Sequence, residues 1–132
     1  MRVYVASGLE NIERAKLVVD ELKRRGHIIG YEWTKYGDVR GQSEDILMST
    51  AREEAFAVID SALVLIMLPG GRGTHIELGL ALASRNNKRI ILWSETGEEF
   101  GNDSKTCVFY HHMSIERLQC SLDELLKLVR TL

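Results

Sequence analysis

The chain has 132 residues, of which 45% are hydrophobic and 27% are charged, and its formal net charge is −2. This length provides one hydrophobic core and is too short for two domains of ordinary size, so we predict a single domain over residues 1–132. Scattered lysines and arginines argue against a nucleic acid polymer as partner. No apolar run approaches the roughly 18 residues of a membrane span, so we expect a soluble, cytoplasmic protein without a membrane partner.

In chain order, short apolar runs alternate with segments of helical periodicity. Residues 2–6 (RVYVA) are rich in β-branched and aromatic side chains, which is typical of a buried strand. Residues 61–68 (SALVLIML) are apolar after the first position, as in a central parallel strand covered on both faces. Ser121 and Glu124 form a capping box at the start of the last helix. The predicted strands are 2–6, 27–33, 61–68, 89–93 and a weaker 106–110; the predicted helices are about 10–25, 46–60, one from Arg72 or Thr74, and one from Ser121 to the C-terminus, with a polar loop at 34–45.

The alternation of strand and helix predicts the α/β class. We expect an open, parallel five-stranded sheet in three layers, with the flavodoxin-like strand order 2-1-3-4-5. In such sheets ligands bind beyond the carboxyl ends of the strands, where the strand order reverses. That point lies between the first and third strands, so residues 6–8 (ASG) and 69–74 (PGGRGT) are predicted to face one crevice.

The segment LPGGRGTHIELGLALA, residues 68–83, joins a glycine loop to a helix whose apolar run contains one charge, Glu77. Glycines and the unpaired N–H groups of a helix start suit an anion, particularly a phosphate. The helix dipole favours the ionised form of Glu77, whereas burial opposes it. An ionised carboxylate beside a ligand is what a nucleophile or a stabiliser of an oxocarbenium-like carbon requires; the alternative is a first-turn acid without a chemical role. The predicted substrate-binding residues are Ser7, Gly8, Gly70, Gly71, Arg72, Gly73, Thr74 and His75.

The run GTHIELGLALA, preceded by a strand and a glycine turn, resembles the signature of the nucleoside 2-deoxyribosyltransferase family, and VYVASG resembles that family's first strand. The resemblance implies that Glu77 is the nucleophile that attacks the anomeric carbon. It also implies that Tyr4 lies in the active site and that Glu54 is the acidic residue that orients the nucleoside. A homodimer or higher homo-oligomer is implied too, because in the family a segment near the C-terminus reaches a neighbouring subunit's site.

Transferases of that family that act on free nucleosides carry an aspartate where this chain has Gly71, followed by Arg72. A cation and open backbone N–H groups in place of a negative charge predict a preference for nucleoside 5′-monophosphates. PGGRGTHIE also resembles the Pro-Gly-Gly-x-Gly-Thr-x-x-Glu motif of the Lonely-guy-type nucleotide phosphoribohydrolases, in which the glycine loop holds the 5′-phosphate and the glutamate is catalytic. Both resemblances imply cleavage of the bond between a sugar and a base.

The expected reaction is cleavage of the N-glycosidic bond of a small-molecule nucleoside or nucleotide, with transfer of the sugar to another base. The alternatives are hydrolysis that releases free base, and a nucleotide-binding module without turnover. The acid that protonates the leaving base is Glu54, Asp38 or Asp45, the last two because the loop at 34–45 is predicted to fold over the crevice as a lid.

Two tryptophans and two cysteines have side chains of types that occur in functional sites. Trp33 and Trp93 end predicted strands on the crevice side, where either one stacks on a base or both pack in the core. Cys107 and Cys120 have no metal-like spacing with the histidines, and no flavin-type phosphate loop follows the first strand. The sequence therefore predicts no metal and no cofactor.

Overall fold

A computed structural model describes all 132 residues of the chain. It contains five strands and four α-helices, which alternate as far as the fourth strand, in agreement with the predicted α/β class. Two 3-10 helices, and no α-helix, connect the fourth strand to the fifth. None of the helices is both long and apolar enough to cross a membrane. The strands are β1 (Arg2–Ser7), β2 (Ile28–Ile29), β3 (Leu63–Met67), β4 (Arg89–Ser94) and β5 (Glu116–Gln119), and the helices are α1 (Ile12–Arg24), α2 (Glu44–Asp60), α3 (Arg72–Ala83) and α4 (Leu122–Val129).

The strands form one parallel sheet in the order β2-β1-β3-β4-β5, which confirms the predicted strand order. Helix α1 contacts α4 and α2 contacts α3, so the right-handed crossovers place one helix pair on each face of the sheet. The register pairs Ser7 with Met67 and Met67 with Trp93. The carboxyl ends of the three central strands are therefore level, and the loops that follow them share one edge of the sheet.

The core lies around β1, β3 and β4, which helices cover on both faces. Every residue of β3 is buried, as predicted from its continuous apolar run. Trp93 is also fully buried, and its indole Nε1 donates a hydrogen bond to the Cys120 carbonyl at 3.0 Å. Trp93 therefore packs in the core and does not face the crevice.

The second strand is far shorter than the predicted span of 27–33. Only Ile28–Ile29 pair with β1. Gly30 lies against α2, where a Cβ atom would approach the Cβ of Ala57 to 3.1 Å, and the chain then turns into a 3-10 helix at Trp33–Lys35. The strand therefore stops at Ile29, because the chain next contacts α2 and then turns, although the apolar run in the sequence continues.

The prediction of a fifth strand at 106–110 is wrong. That strand is formed by Glu116–Gln119, while Val108–His111 form a 3-10 helix that buries Tyr110. As an edge strand β5 has one neighbour and mostly exposed side chains, so its sequence ERLQ carries no apolar signal. The apolar residues before it belong to the 3-10 helix, in which the Tyr110 ring is buried.

Side-chain caps define the starts of two helices. Ser43 Oγ accepts a hydrogen bond from the Ile46 N–H at 3.4 Å, so α2 begins at Glu44, slightly before its predicted start. Ser121 Oγ accepts from the Glu124 N–H at 3.2 Å, which confirms the predicted start of α4.

Hydrogen bonds from Lys88 link the end of α2 to the start of β4. Its ammonium Nζ donates to the carbonyl oxygens of Val58, Ile59 and Ser61 at 2.7, 2.9 and 2.5 Å. Carbonyls at a helix C-terminus have no partner within the helix, and a cation there also interacts favourably with the helix dipole. One side chain therefore satisfies three backbone acceptors.

Replacing Lys88 with methionine keeps the aliphatic chain and removes the donors. We expect Lys88→Met to lower the free energy of unfolding by about 1–3 kcal/mol, the cost of leaving such carbonyls without a charged partner. Urea denaturation followed by circular dichroism measures the change, with the exposed Lys127→Met as the matched control. Equal stability of the two variants would contradict this role.

Candidate active site

The crevice predicted between the first and third strands is formed by two direct contacts. Ser7 Oγ donates to the Met67 carbonyl at 2.7 Å, and the Gly8 N–H donates to the Pro69 carbonyl at 3.1 Å. These bonds hold the loop after β1 against the loop after β3. The two segments expected to meet therefore do so.

Between these loops and α2 lies a cavity of about 570 Å³, a size typical of small-molecule sites. It combines the glycine loop, the start of α3, one turn of α2 and the loop that precedes α2. The residues that line it are Ser7, Gly8, Leu9, Glu10, Trp33, Gly37, Asp38, Val39, Arg40, Thr50, Glu54, Gly71, Arg72, Gly73, Thr74 and Glu77.

The start of α3 offers backbone donors to this cavity. The first backbone hydrogen bond of the helix runs from the His75 N–H to the Gly71 carbonyl at 3.2 Å. The N–H groups of residues 72–74 precede that bond and have no acceptor within the helix. Thr74 packs over Gly70, where a Cβ atom would come within 2.6 Å of the Thr74 Cγ2 atom. Only glycine therefore permits the tight turn from β3 into α3.

Glu77 is almost completely buried, with 8% of its surface exposed, at the boundary between the core and the cavity. The Tyr4 hydroxyl donates a hydrogen bond to Glu77 Oε2. Burial raises the pKa of Glu77 to about 8, and the hydrogen bond from Tyr4 opposes that rise. The side chain lies beyond the first turn of α3, where the helix dipole has little effect. Burial therefore decides its charge, and the carboxyl group is mainly protonated at neutral pH.

Tyr4 itself is fully buried in β1. Burial is the main cause that raises its pKa, and the nearby Glu77 carboxylate raises it further. The hydroxyl therefore keeps its proton and remains a donor to Glu77. Tyr4 is both a core residue and the hydrogen-bond partner of the candidate nucleophile.

Glu54 and Thr50 are one turn apart on α2 and both line the cavity. Glu54 is half-buried, and burial raises the pKa of its carboxyl group. The helical spacing of these residues is visible in the sequence, although Thr50 was not among the predicted site residues. Together they place a carboxyl and a hydroxyl group on the wall formed by α2.

The cavity mouth carries an ion pair that removes one candidate acid. Arg40 donates from Nε and Nη2 to the Asp38 carboxylate at 2.7–3.0 Å, and these hydrogen bonds lower the pKa of Asp38 to about 2. Such an acid holds no proton to give at neutral pH. Asp45 lies in the first turn of α2 and does not line the cavity. Of the three predicted acids, Glu54 alone combines position with a raised pKa.

Two predicted binding residues do not reach the cavity. Gly70 lies under Thr74, and both ring nitrogens of His75 bond to protein atoms, the Gly71 carbonyl and the Tyr110 hydroxyl. Arg72 does line the cavity, and it is exposed and forms no ion pair with any carboxylate. Its guanidinium is therefore available to a ligand.

Further lining residues extend the site beyond the predicted ones. Trp33 borders the cavity, but its Nε1 donates to the Val5 carbonyl at 2.7 Å and the ring is mostly buried. Leu9 and Glu10 follow Gly8 directly, and Glu10 folds back until its carboxylate contacts that glycine. No group of three or more histidine, cysteine, aspartate or glutamate residues is arranged to hold a metal ion.

No model of a known protein family matches the chain, and no curated protein matches it. Among solved structures, the chain is similar to the CMP N-glycosidase BcmB of Clostridium botulinum, with a TM-score of 0.67 and 18% identity over 98% of both chains. It is also similar to a conserved protein of Enterococcus faecalis V583, with a TM-score of 0.61 and 14% identity over 99% of this chain and 98% of the other. At these identities the comparison shows a shared fold along the full length of the chains.

The raised pKa of Glu77 predicts a pH dependence of stability. Between pH values of about 4.5 and 8 the folded chain holds a proton on Glu77 that the unfolded chain releases, so the stability of the wild type falls as the pH rises. Glu77→Gln has no such proton, and we expect its stability relative to wild type to grow by roughly 2–4 kcal/mol from pH 5 to pH 8.

Urea denaturation at several pH values measures this difference. Tyr4→Phe is the control, because it keeps the Glu77 carboxyl group and removes the hydrogen bond that lowers its pKa, so its stability should fall with pH at least as much as that of the wild type. Parallel pH profiles for the wild type and Glu77→Gln would show that Glu77 has an ordinary pKa.

Proposed function

We propose that this protein cleaves the N-glycosidic bond of a nucleoside 5′-monophosphate, with Glu77 as the nucleophile and water as the acceptor. The observation that carries the proposal is the buried Glu77 carboxyl, bonded to Tyr4, at the floor of a cavity whose rim is a glycine loop with free backbone donors. A nucleotide whose phosphate lies at that loop and whose sugar lies over Glu77 fits both features.

The reaction proceeds in two displacements. A Glu77 carboxylate oxygen attacks C1′ while the C1′–N bond breaks, and the electron pair of that bond leaves with the base. The base takes up a proton as it departs, and the sugar phosphate stays on Glu77 as an ester. Water then attacks C1′ and gives a proton back to the acid that protonated the base, which releases the free sugar phosphate and restores the Glu77 carboxylate.

Glu77 has to be ionised for the first displacement. With a pKa of about 8, roughly a tenth of the molecules carry the carboxylate at pH 7. This fraction lowers the observed rate about tenfold and leaves most of the rate enhancement of a typical enzyme intact. The Tyr4 hydroxyl stabilises the ionised form by donating a hydrogen bond to it.

We assign Glu54 as the acid that protonates the leaving base. It lines the same cavity, and burial raises its pKa, so it retains a proton more readily than an exposed glutamate does. Thr50, one turn away, adds a hydroxyl group that hydrogen-bonds polar atoms of a base. Trp33 lines the same cavity.

Hydrolysis is preferred here over the sugar transfer that the sequence resemblance implies. One solved structure with the same fold and a closely matching length is a CMP N-glycosidase, and this supports release of free base. Transfer to a second base remains the other candidate reaction. Incubation with a nucleotide and a different, isotopically labelled base separates the two, because only a transferase forms the labelled nucleotide.

The predicted homo-oligomer stays a prediction. Several large apolar side chains on α2 and α3 are exposed in the isolated chain: Met48, Phe56, Ile59 and Ile76. Side chains of this kind are typical of subunit interfaces.

Glu77→Gln tests the nucleophile. We expect the variant to keep its fold and to lose base release by at least about 1,000-fold in kcat/KM, a barrier increase of more than about 4 kcal/mol. The assay incubates the protein with a panel of nucleosides and their 5′-monophosphates, CMP among them, and detects free base by chromatography. Glu53→Gln, an exposed neighbour of Glu54 outside the cavity, is the control. Retention of a tenth of the wild-type activity in Glu77→Gln would refute the assignment, and a wild type inert toward the panel would favour a binding module.

Arg72→Ala tests recognition of the phosphate. A charge-assisted hydrogen bond to phosphate contributes about 1.5–3 kcal/mol, so the variant should bind the monophosphate roughly 10- to 150-fold more weakly. Binding of the corresponding nucleoside should hardly change. Calorimetric titration of both ligands decides the point, with the exposed Arg52→Ala on α2 as the control. Equal losses for the two ligands, or no loss for either, would exclude a phosphate contact.

A further inference from the structure

His75 connects the glycine loop to the segment before β5. Its Nδ1 lies 2.6 Å from the Gly71 carbonyl oxygen, and its Nε2 lies 2.6 Å from the Tyr110 hydroxyl. A carbonyl oxygen only accepts, so Nδ1 carries the proton, and Nε2 of the neutral ring accepts from the tyrosine. Tyr110 is buried, and burial raises its pKa to about 12, so its hydroxyl keeps the proton that it donates.

The carbonyl that His75 holds belongs to the peptide between Gly71 and Arg72. In a planar trans peptide the C=O and the following N–H point in opposite directions. Holding the Gly71 oxygen toward His75 therefore holds the Arg72 N–H away from the helix body, and both residues of this peptide line the cavity. A rotated peptide would instead turn the carbonyl oxygen, with its partial negative charge, toward a bound anion.

Besides the His75 ring, two hydrogen bonds restrain this part of the loop: the His75 N–H donates to the Gly71 oxygen, and the Gly71 N–H donates to Thr74 Oγ1 at 3.1 Å. A Cβ atom at Gly71 would meet nothing within 4 Å, so no packing at that position fixes the backbone. The backbone bond from the His75 N–H to the Gly71 oxygen is 3.2 Å long, whereas the bond from the ring is 2.6 Å. The imidazole, anchored in turn by Tyr110, therefore supplies the shorter of the two bonds to that oxygen.

We propose that His75, held by Tyr110, is a positioning residue that fixes the Gly71–Arg72 peptide with its N–H toward the ligand and thereby sets the affinity of the loop for phosphate. The inference rests on the phosphate site of the proposed function. His75 does not touch the ligand and acts through the backbone. The fifth-strand region is thus linked to the phosphate end of the site through one imidazole ring.

The test compares His75→Leu with His75→Asn. The two new side chains have nearly the same shape, but only the asparagine amide donates a hydrogen bond to the Gly71 oxygen. The probes are ribose 5-phosphate and ribose, which contain no base, titrated by calorimetry. We expect His75→Leu to raise the Kd for ribose 5-phosphate about tenfold and His75→Asn to stay within about 1.5-fold of wild type. Tyr110→Phe, which loosens the imidazole, should raise it about threefold.

His111→Leu is the matched control, because His111 is exposed and bonds to Thr106 at 2.9 Å, away from the loop. Thermal unfolding of each variant identifies any that fails to fold, and if His75→Leu does not fold, Tyr110→Phe decides. Wild-type affinity in His75→Leu, equal losses in His75→Leu and His75→Asn, or a wild type that binds ribose 5-phosphate no better than ribose would overturn the inference. If the variants show the expected changes in Kd but the wild type releases no base, the role of His75 is supported and the proposed reaction is overturned.

Discussion

The hydrogen bond from the Tyr4 hydroxyl to the Glu77 carboxyl joins the first strand to the third helix at the floor of the cavity. Burying a carboxyl group at this position is costly, and the rise of its pKa to about 8 reflects that cost. Tyr4 reduces the cost by supplying a donor that is itself locked in the core. A destabilising group retained at the edge of the core, beside a cavity, is typical of a functional site.

The strand order explains why the parts of the site meet. Because β1 and β3 are neighbours whose connections leave in opposite directions, the loops after Ser7 and after Met67 enclose one crevice. Helix α3 begins inside that crevice, so its first turn offers backbone donors at the rim and its next turn places Glu77 at the floor. In the proposed function, the phosphate end and the reacting carbon of a nucleotide lie at consecutive turns of this one helix.

The sequence predicts the central part of this architecture because strong local signals mark it. The continuous apolar run of β3, the glycine loop and the single charge in α3 together specify the strand order and the floor of the site. The edge strands are predicted less well, because β5 has the sequence ERLQ with a single apolar residue and β2 pairs through only two residues of a longer apolar run. The protonation state of Glu77 and the contact between His75 and Tyr110 depend on burial and on residues far apart in the chain, which sequence spacing does not reveal.

If the sugar becomes bonded to Glu77 during the reaction, it should be possible to trap that covalent intermediate. Fluorine at C2′ withdraws electrons and slows both displacements, so a fluorinated analogue of a nucleotide cleaved by the wild type is the appropriate ligand. After incubation and proteolysis, mass spectrometry should find one sugar phosphate on the peptide that contains Glu77, and none in Glu77→Gln. Release of a full equivalent of base without any modified peptide, or a sugar phosphate bonded to a different residue, would contradict the account.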